Sequence, residues 1–306
     1  MNAANYSTDL MKTICILVTN DEYPTVDYFF TVIYIFINVL TCPLVVILNA
    51  LFITAMRKNR RLETMHNILL ACTAGTDLAV GIGCQPVFIT QDIFQAASGS
   101  VSFYCKFFII RKKTTTCLCL LSLLHLALIS LERFFAMKYS LRYDSIVTKN
   151  RLTVAVACCW LIMILYWATW SFYELLISPA VSVIASFLVM VYCHVSVYYI
   201  CRRHVIQIKP EQVSRDDTTK FLAETKAWKT TIITIAGVLI SYSPGVISLS
   251  ALRSSSYAVL QRISYSIQPF CFSCFMANSL LNPIIYCWRS KVIRQVMLQL
   301  LRKQNI

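Results

Sequence analysis

Asp77, in LLACTAGTDLAVGIG, is the only charged residue between Glu63 and Asp92. Oxygen-bearing side chains recur in other apolar runs: Asn49, Ser122, and the group Asn278, Ser279 and Asn282. A carboxylate with such neighbours suits a monovalent cation or a proton. Hard cations prefer oxygen ligands, and a desolvated carboxyl without one tends to protonate. Asn and Ser also serve as plain links between membrane helices, worth about 0.6 kcal/mol each. An ionised group at mid-membrane costs about 2.5–3.5 kcal/mol on insertion scales, which marks Asp77 as functional.

A second arrangement ends the run SLLHLALISLERFF. Arg133 cannot shed its charge, so at a membrane edge it needs acceptors, and the adjacent Glu132 supplies one. Eleven residues separate Ser122 from Arg133, three helical turns and about 16 Å of rise. Both therefore project from one face, together with Thr115, Leu126 and Ile129. Glu224 lies 20 residues before Pro244, about 30 Å inward along its helix, and is expected to meet Arg133. With Lys226 and Lys229 nearby, a solvated charged face is the plainer reading of Glu224. At the opposite end, Arg111, Lys112 and Lys113 precede Arg133 by 22, 21 and 20 residues. That distance, about 30 Å, puts them at the outer interface, where they suit snorkelling to lipid headgroups or receipt of an acidic ligand group.

The elements that must position these residues are helices in lipid. The 306-residue chain is 58% hydrophobic and only 14% charged, where soluble proteins carry about 25% charged residues. Apolar runs long enough to cross the hydrocarbon core occupy about 29–56, 66–94, 107–137, 151–171, 175–201, 223–252 and 260–287. The expected fold is an all-α membrane protein, a seven-helix bundle over 29–287. Residues 1–28 form an outer N-terminus and 288–306 a cytoplasmic amphipathic helix and tail. In that tail Val292, Ile293, Val296, Met297, Leu300 and Leu301 make one apolar face, which suits a helix lying on the inner leaflet.

The net charge of +14 is not a nucleic-acid footprint, because 21 of the 28 Lys and Arg fall in 57–61, 133–151, 202–229 and beyond 288. Basic residues gather on the cytoplasmic side, which puts the N-terminus outside and the C-terminus inside. Asn5-Tyr6-Ser7 is then an accessible glycosylation acceptor. The stretch ICILVTN is too short for a signal peptide and is flanked by acidic residues, so cleavage is not expected. Most of the 14 cysteines lie in apolar runs, where Cys behaves as a small hydrophobe, and CFSC at 271–274 has no second metal-like pair. The chain has no Walker loop, no G-x-S-x-G and no H-E-x-x-H, so an enzyme is not expected. Pro244 and Pro283 interrupt long helices, which bends them and offers pivots.

At these residues the chain resembles the rhodopsin-like (class A) G-protein-coupled receptors over nearly its full length. LERFF looks like the family's D/E-R-Y/F triplet and NPIIY, 282–286, matches its N-P-x-x-Y. Asn49, Asp77, Trp160 and Pro244 fit the single marker residues of spans one, two, four and six. The resemblance implies a switch formed by Glu132, Arg133, Glu224, Tyr192, Asn282, Pro283 and Tyr286, with Arg133 tied down at rest and released toward a G protein. It implies an allosteric sodium pocket of Asp77, Ser122, Asn278, Ser279 and Asn282, and no other cofactor. It also implies an extracellular ligand, a heterotrimeric G protein, membrane lipids and arrestin as partners. With Ser290 the only phosphorylatable residue after Tyr286, arrestin recruitment would rest on Ser214, Thr218 or Thr219.

The departures bear on the ligand. Tyr242 stands where the family usually has Trp, and Ile184 where span five usually has Pro. No cysteine lies between Cys159 and Cys193, so the usual outer disulfide cannot form with Cys105, and the second outer loop shrinks to about 170–174. These features and LRYDSIVT resemble the melanocortin and lipid-mediator branch. Amine receptors use an Asp where this chain has Thr115, so the expected ligand is not an amine: a peptide, lipid or nucleoside, in a pocket that includes Arg111, Thr115 and Tyr242. The rival classes are a channel or transporter, which usually shows internal repeats not found here, and a receptor relative that does not signal.

Overall fold

A computed structural model describes residues 25–97, 101–169, 179–207, 225–226, 228–244 and 258–302. The described helices are α1 (Thr25–Lys58), α2 (Met65–Ala79), α3 (Gln85–Ala96), α4 (Val101–Lys138), α5 (Tyr143–Ile146), α6 (Lys149–Ala168), α7 (Pro179–Gln207), α8 (228–244), α9 (Ala258–Arg289) and α10 (Lys291–Leu301). A five-residue π stretch, Val80–Cys84, joins α2 to α3 into one continuous span. No strand occurs among the described residues. Five helices among them are long and apolar enough to cross a membrane. Where lipid is the solvent, only structures that satisfy their own backbone can span it.

α4, the third span, is the mast of the bundle. Of its most apolar window 61% is buried, against 22% for each of α6 and α7. It packs on α2, α3, α6 and α7. Thr115, Ser122, Leu126, Ile129 and Arg133 are all buried, so the face set by the eleven-residue spacing does look inward. Phe36, Ile47, Leu161, Ile164, Leu188 and Ile240 are more than half exposed and form the outer surface.

Breaks in the helices are repaired by side chains. Proline has no N–H, so the carbonyl four residues back loses its partner. Pro283 frees the carbonyl of Ser279, and Asn49 Nδ2 on α1 donates to it at 3.0 Å. Pro244 frees that of Ile240, and Ser243 Oγ donates to it at 3.0 Å. Asn38 Nδ2 reaches Ser273 Oγ on α9 at 2.9 Å, and Gln85 Nε2 reaches Thr41 Oγ1 at 3.1 Å. α1 is thus stitched to its neighbours by amides as well as by packing.

Three helices start on a hydroxyl cap, each donated to by a main-chain N–H. Thr64 accepts from Asn67, Thr148 from Arg151 and Ser290 from Ile293. Caps of this kind contribute about 1 kcal/mol each. Lys149 Nζ donates to Glu63 Oε1 at 2.5 Å and ties two inner connections together. That hydrogen bond holds the exposed Glu63 carboxyl below its usual range.

α10 differs from the sequence expectation in where its apolar face goes. Ile293, Val296 and Met297 are buried in the same core cluster as Phe52, Ala55 and Tyr286, while Val292 and Leu301 are exposed. The helix docks on the foot of α1 and α9, because three of its apolar side chains point back into the bundle rather than all toward the leaflet.

The π stretch brings main chain close to α1. A Cβ at Gly81 would stand 2.9 Å from Val46 Cγ2 and 3.0 Å from Val45 Cγ1, whereas one at Gly75 would meet nothing within 4 Å. The Gly81 carbonyl accepts from Cys42 Sγ at 3.3 Å. Overpacking of this kind costs about 1–3 kcal/mol, and Gly to Ala in an unhindered helix gains about 0.5–1 kcal/mol. Gly81→Ala is therefore expected to lower the melting temperature of the purified protein, and Gly75→Ala to hold or raise it. Equal effects would contradict the close approach.

Candidate functional site

Part of the central cluster is joined by direct contacts. Asp77, Asn49, Ser122, Asn278, Ser279 and Asn282 are all buried. Asn282 Nδ2 donates to Asp77 Oδ2 at 2.7 Å, and the Ser279 side chain also bonds the carboxylate. Asn278 is buried one residue before Ser279 on α9. Asn282 Oδ1 and the Tyr286 hydroxyl are buried without a hydrogen-bond partner among the described residues, while the hydroxyls of Tyr242 and Ser122 bond each other. An unmet buried polar group costs about 1–3 kcal/mol. Oxygens left over around a carboxylate are therefore a donor set that a small hard cation or water fits. Tyr242 closes this pocket from the sixth span, its ring edge-on to Phe275 at 4.9 Å.

At the inner edge, Arg133 folds back on its neighbour. Its Nε donates to Glu132 Oε2 at 2.6 Å, and a terminal nitrogen donates to Oε1. Glu132 also accepts from the Tyr143 hydroxyl, and His66 Nδ1 stands 3.4 Å from Oε2. Glu132 and Arg133 are both buried. The one-turn helix α5 exists where Tyr143 must be held, and α2 begins one residue before His66. Neither Tyr143 nor His66 was legible as a partner, since each acts across a connection whose path only the fold sets. The expected contact of Arg133 with Glu224 lies outside the described residues.

Above this site Tyr286 is buried with its ring 5.2 Å from that of Phe52. Pro283 is buried too. A cavity of about 10 Å³, lined by His66, Leu126, Ile129, Thr230, Thr234 and Tyr286, gives about the room that one water needs. Tyr192 departs from its expected role. It is 62% exposed, because Met190, Cys193 and Val197 turn α7's buried face away from it, and its ring meets Phe134 from outside at 5.9 Å.

The outer cations are also placed differently from a free ligand clamp. Arg111 is buried, its NH1 3.6 Å from Asp92 Oδ1, and its guanidinium lies 4.7 Å over Phe88. Asp92 comes from the same span as Asp77, four turns outward, and at that depth each charge needs the other. Lys113 lies over Trp167 at 4.0 Å, an amphipathic placement. Thr115 Oγ1 faces Cys84 Sγ at 3.9 Å. Beside Asp92, Gln91 is buried with neither amide atom bonded among the described residues.

Residues 48–286 match the 7 transmembrane receptor (rhodopsin family). The chain belongs to this family. It is 22% identical to adenosine receptor A3 of Ovis aries over 89% of this chain and 90% of that protein. It is 26% identical to trace amine-associated receptor 9 of Rattus norvegicus, over 81% and 82%. Against the histamine H2 receptor of Cavia porcellus identity is 31%, over 47% and 40%. The chain is thus a multi-pass membrane receptor that couples an extracellular ligand to a heterotrimeric G protein, and a transporter or channel is not favoured. These relatives bear the names of nucleoside and amine receptors, so they lend nothing to the melanocortin and lipid-mediator likeness.

The Arg111–Asp92 pair makes a stability prediction that a ligand assay alone would misread. Removing one partner of a buried pair costs about 3–5 kcal/mol, while replacing both by apolar groups is often neutral. Arg111→Met is expected to lose most of its surface expression, and Arg111→Met with Asp92→Leu to recover it. A double variant no better than the single would break the pairing.

Proposed function

We propose that the receptor rests with Arg133 held by Glu132, which Tyr143 and His66 hold in turn, and that agonist binding at the outer half frees Arg133 for the G protein. The observation that carries this is the buried guanidinium bonded to the Glu132 carboxylate beside it. Glu224 is proposed as a second acceptor from the sixth span. The orientation follows the basic inner connections, with Asn5 outside, and the membrane's inner leaflet is the lipid partner of the tail. Arrestin is proposed to dock through Ser214, Thr218 and Thr219. The family is one of receptors, and we read the chain as a receptor without enzymatic activity.

The ligand we propose is not an amine. The sixth-span Tyr242 and third-span Thr115 offer hydroxyls, and Asp92, the carboxylate beside Arg111, is committed to it. An acidic group could reach Arg111 only by displacing Asp92, so an uncharged polar ligand suits the pocket better.

Nucleotide exchange on added G protein tests the switch. A loss of about 1.4 kcal/mol from a 1:99 equilibrium raises the active population about tenfold. Glu132→Gln and Tyr143→Phe are expected to raise ligand-free exchange several-fold at equal surface expression, and Arg133→Ala to abolish agonist-driven exchange. If Glu224→Ala alone raises it, the restraint lies between spans three and six instead.

Sodium binding at Asp77 is proposed from the unmet oxygens beside it. The carboxylate is the only full charge in the cluster. Asp77→Asn is expected to remove any dependence of agonist affinity on sodium concentration, with potassium as control. A sodium response that survives the substitution would move the site elsewhere.

A further inference from the structure

A second set of polar contacts lies at the inner edge of the bundle, and neither the sodium pocket nor Arg133 uses it. His194 on α7 stands between two helices. Its Nε2 is 3.2 Å from Ser130 Oγ on α4, and the Trp228 indole N–H on α8 donates to its Nδ1 at 2.9 Å. The Ser130 hydroxyl hydrogen is already given to the Leu126 carbonyl at 2.8 Å, so Ser130 Oγ must accept from Nε2–H. Trp228 can only donate, so Nδ1 must accept. The two demands agree on one form, the neutral imidazole with its proton on Nε2. Ser130 is buried and Trp228 nearly so. The ring of Trp228 packs with Phe134, Met137, Cys193 and Val197.

The position of this chain of bonds gives it a consequence. Ser130 precedes Arg133 by three residues, less than one turn. Trp228 precedes the hinge Pro244 by sixteen, about 24 Å along the helix, so it sits at the far end of the lever that a bend at Pro244 would swing. On the other side, Arg289 Nε reaches Thr230 Oγ1 at 3.3 Å, a longer and more exposed contact.

We propose that Ser130–His194–Trp228 is a clasp that positions the inner end of the sixth span against spans three and five and restrains coupling until it opens. The restraint rests on the reading of Arg133 as the switch. Any outward movement of Trp228 must break the indole bond, and the freed Nδ1 and N–H then each need a new partner in a place with little water. The clasp therefore favours two discrete positions of the sixth span.

Two measurements test this, one independent of any G protein. Protein labelled with 5-fluorotryptophan carries five labelled indoles, and the fluorine line missing from Trp228→Phe is that of Trp228. His194→Phe is expected to shift that line and leave the other four in place; an unmoved line would show that the bond does not exist. In ligand-free nucleotide exchange on a panel of purified heterotrimeric G proteins, Trp228→Phe keeps an aromatic ring in the packed site and loses the donor with the second ring of the indole. It is expected to raise the basal rate about threefold to tenfold at equal surface expression. His194→Phe should do the same, and the double variant no more than either single. A wild-type rate in Trp228→Phe, or additive effects in the double variant, would overturn the restraint. If wild type and variants alike drive no exchange on any G protein, it is the switch reading that fails, while the fluorine line still decides the bond.

Discussion

The missing N–H of Pro283 is the constraint on which much of the bundle's inner half depends. In lipid an orphaned carbonyl has no water to turn to, so the carbonyl of Ser279 must find a donor from another helix. Asn49 supplies it from α1 while its own carboxamide stays anchored on the Val45 carbonyl at 2.9 Å. One backbone defect thereby fixes the height of the first span against the seventh. It also fixes Asn282, the residue before the proline, whose amide bonds Asp77 on the second span. Three spans are registered by two asparagines and one absent hydrogen.

That registration explains why the central carboxylate and the inner switch belong to one device. Asn282 and Tyr286 are one turn apart on α9, the first on Asp77 and the second against Phe52 and over the cavity near His66. A change in the charge state or occupancy around Asp77 acts on Asn282. Any rotation of α9 at its proline then moves Tyr286 toward or away from the face that carries Arg133. The unmet Tyr286 hydroxyl and Asn282 carboxamide oxygen leave room for a second set of partners, as a bistable core requires.

Much of this was legible in the sequence because lipid makes polarity informative. Asp77, Asn49, Asn282 and Arg133 stand out in apolar runs, and helical spacing alone put Ser122 and Arg133 on one face. What was not legible depends on how helices rotate and where connections fold back. The exposure of Tyr192 follows from the small rotation that buries Cys193 instead. Asp92 and Arg111 lie in different spans, and only the packing of α3 on α4 makes them a pair. His66 and Tyr143 reach Glu132 from two connections whose paths no periodicity reports. The tail shows the same limit: its amphipathic face was plain, but whether it would lie on lipid or on the foot of α1 was a matter of angle.

The inner edge is held by several modest contacts rather than one strong one, and the physics of a switch favours that. The buried Glu132–Arg133 pair is costly to break outright, so the contacts that hold Glu132 matter to the switch. Here Glu132, next to Arg133 in the same helix, is one of its partners. Tyr143 and His66 share the load on Glu132 from two further elements. Neutral hydrogen bonds such as that of Trp228 to His194 are each worth about 0.5–1.5 kcal/mol net. Two or three of them together match the few kcal/mol that separate states populated at the per cent level. A ligand can supply that difference through its affinity for one state over the other, without unfolding any helix that the prolines have already bent.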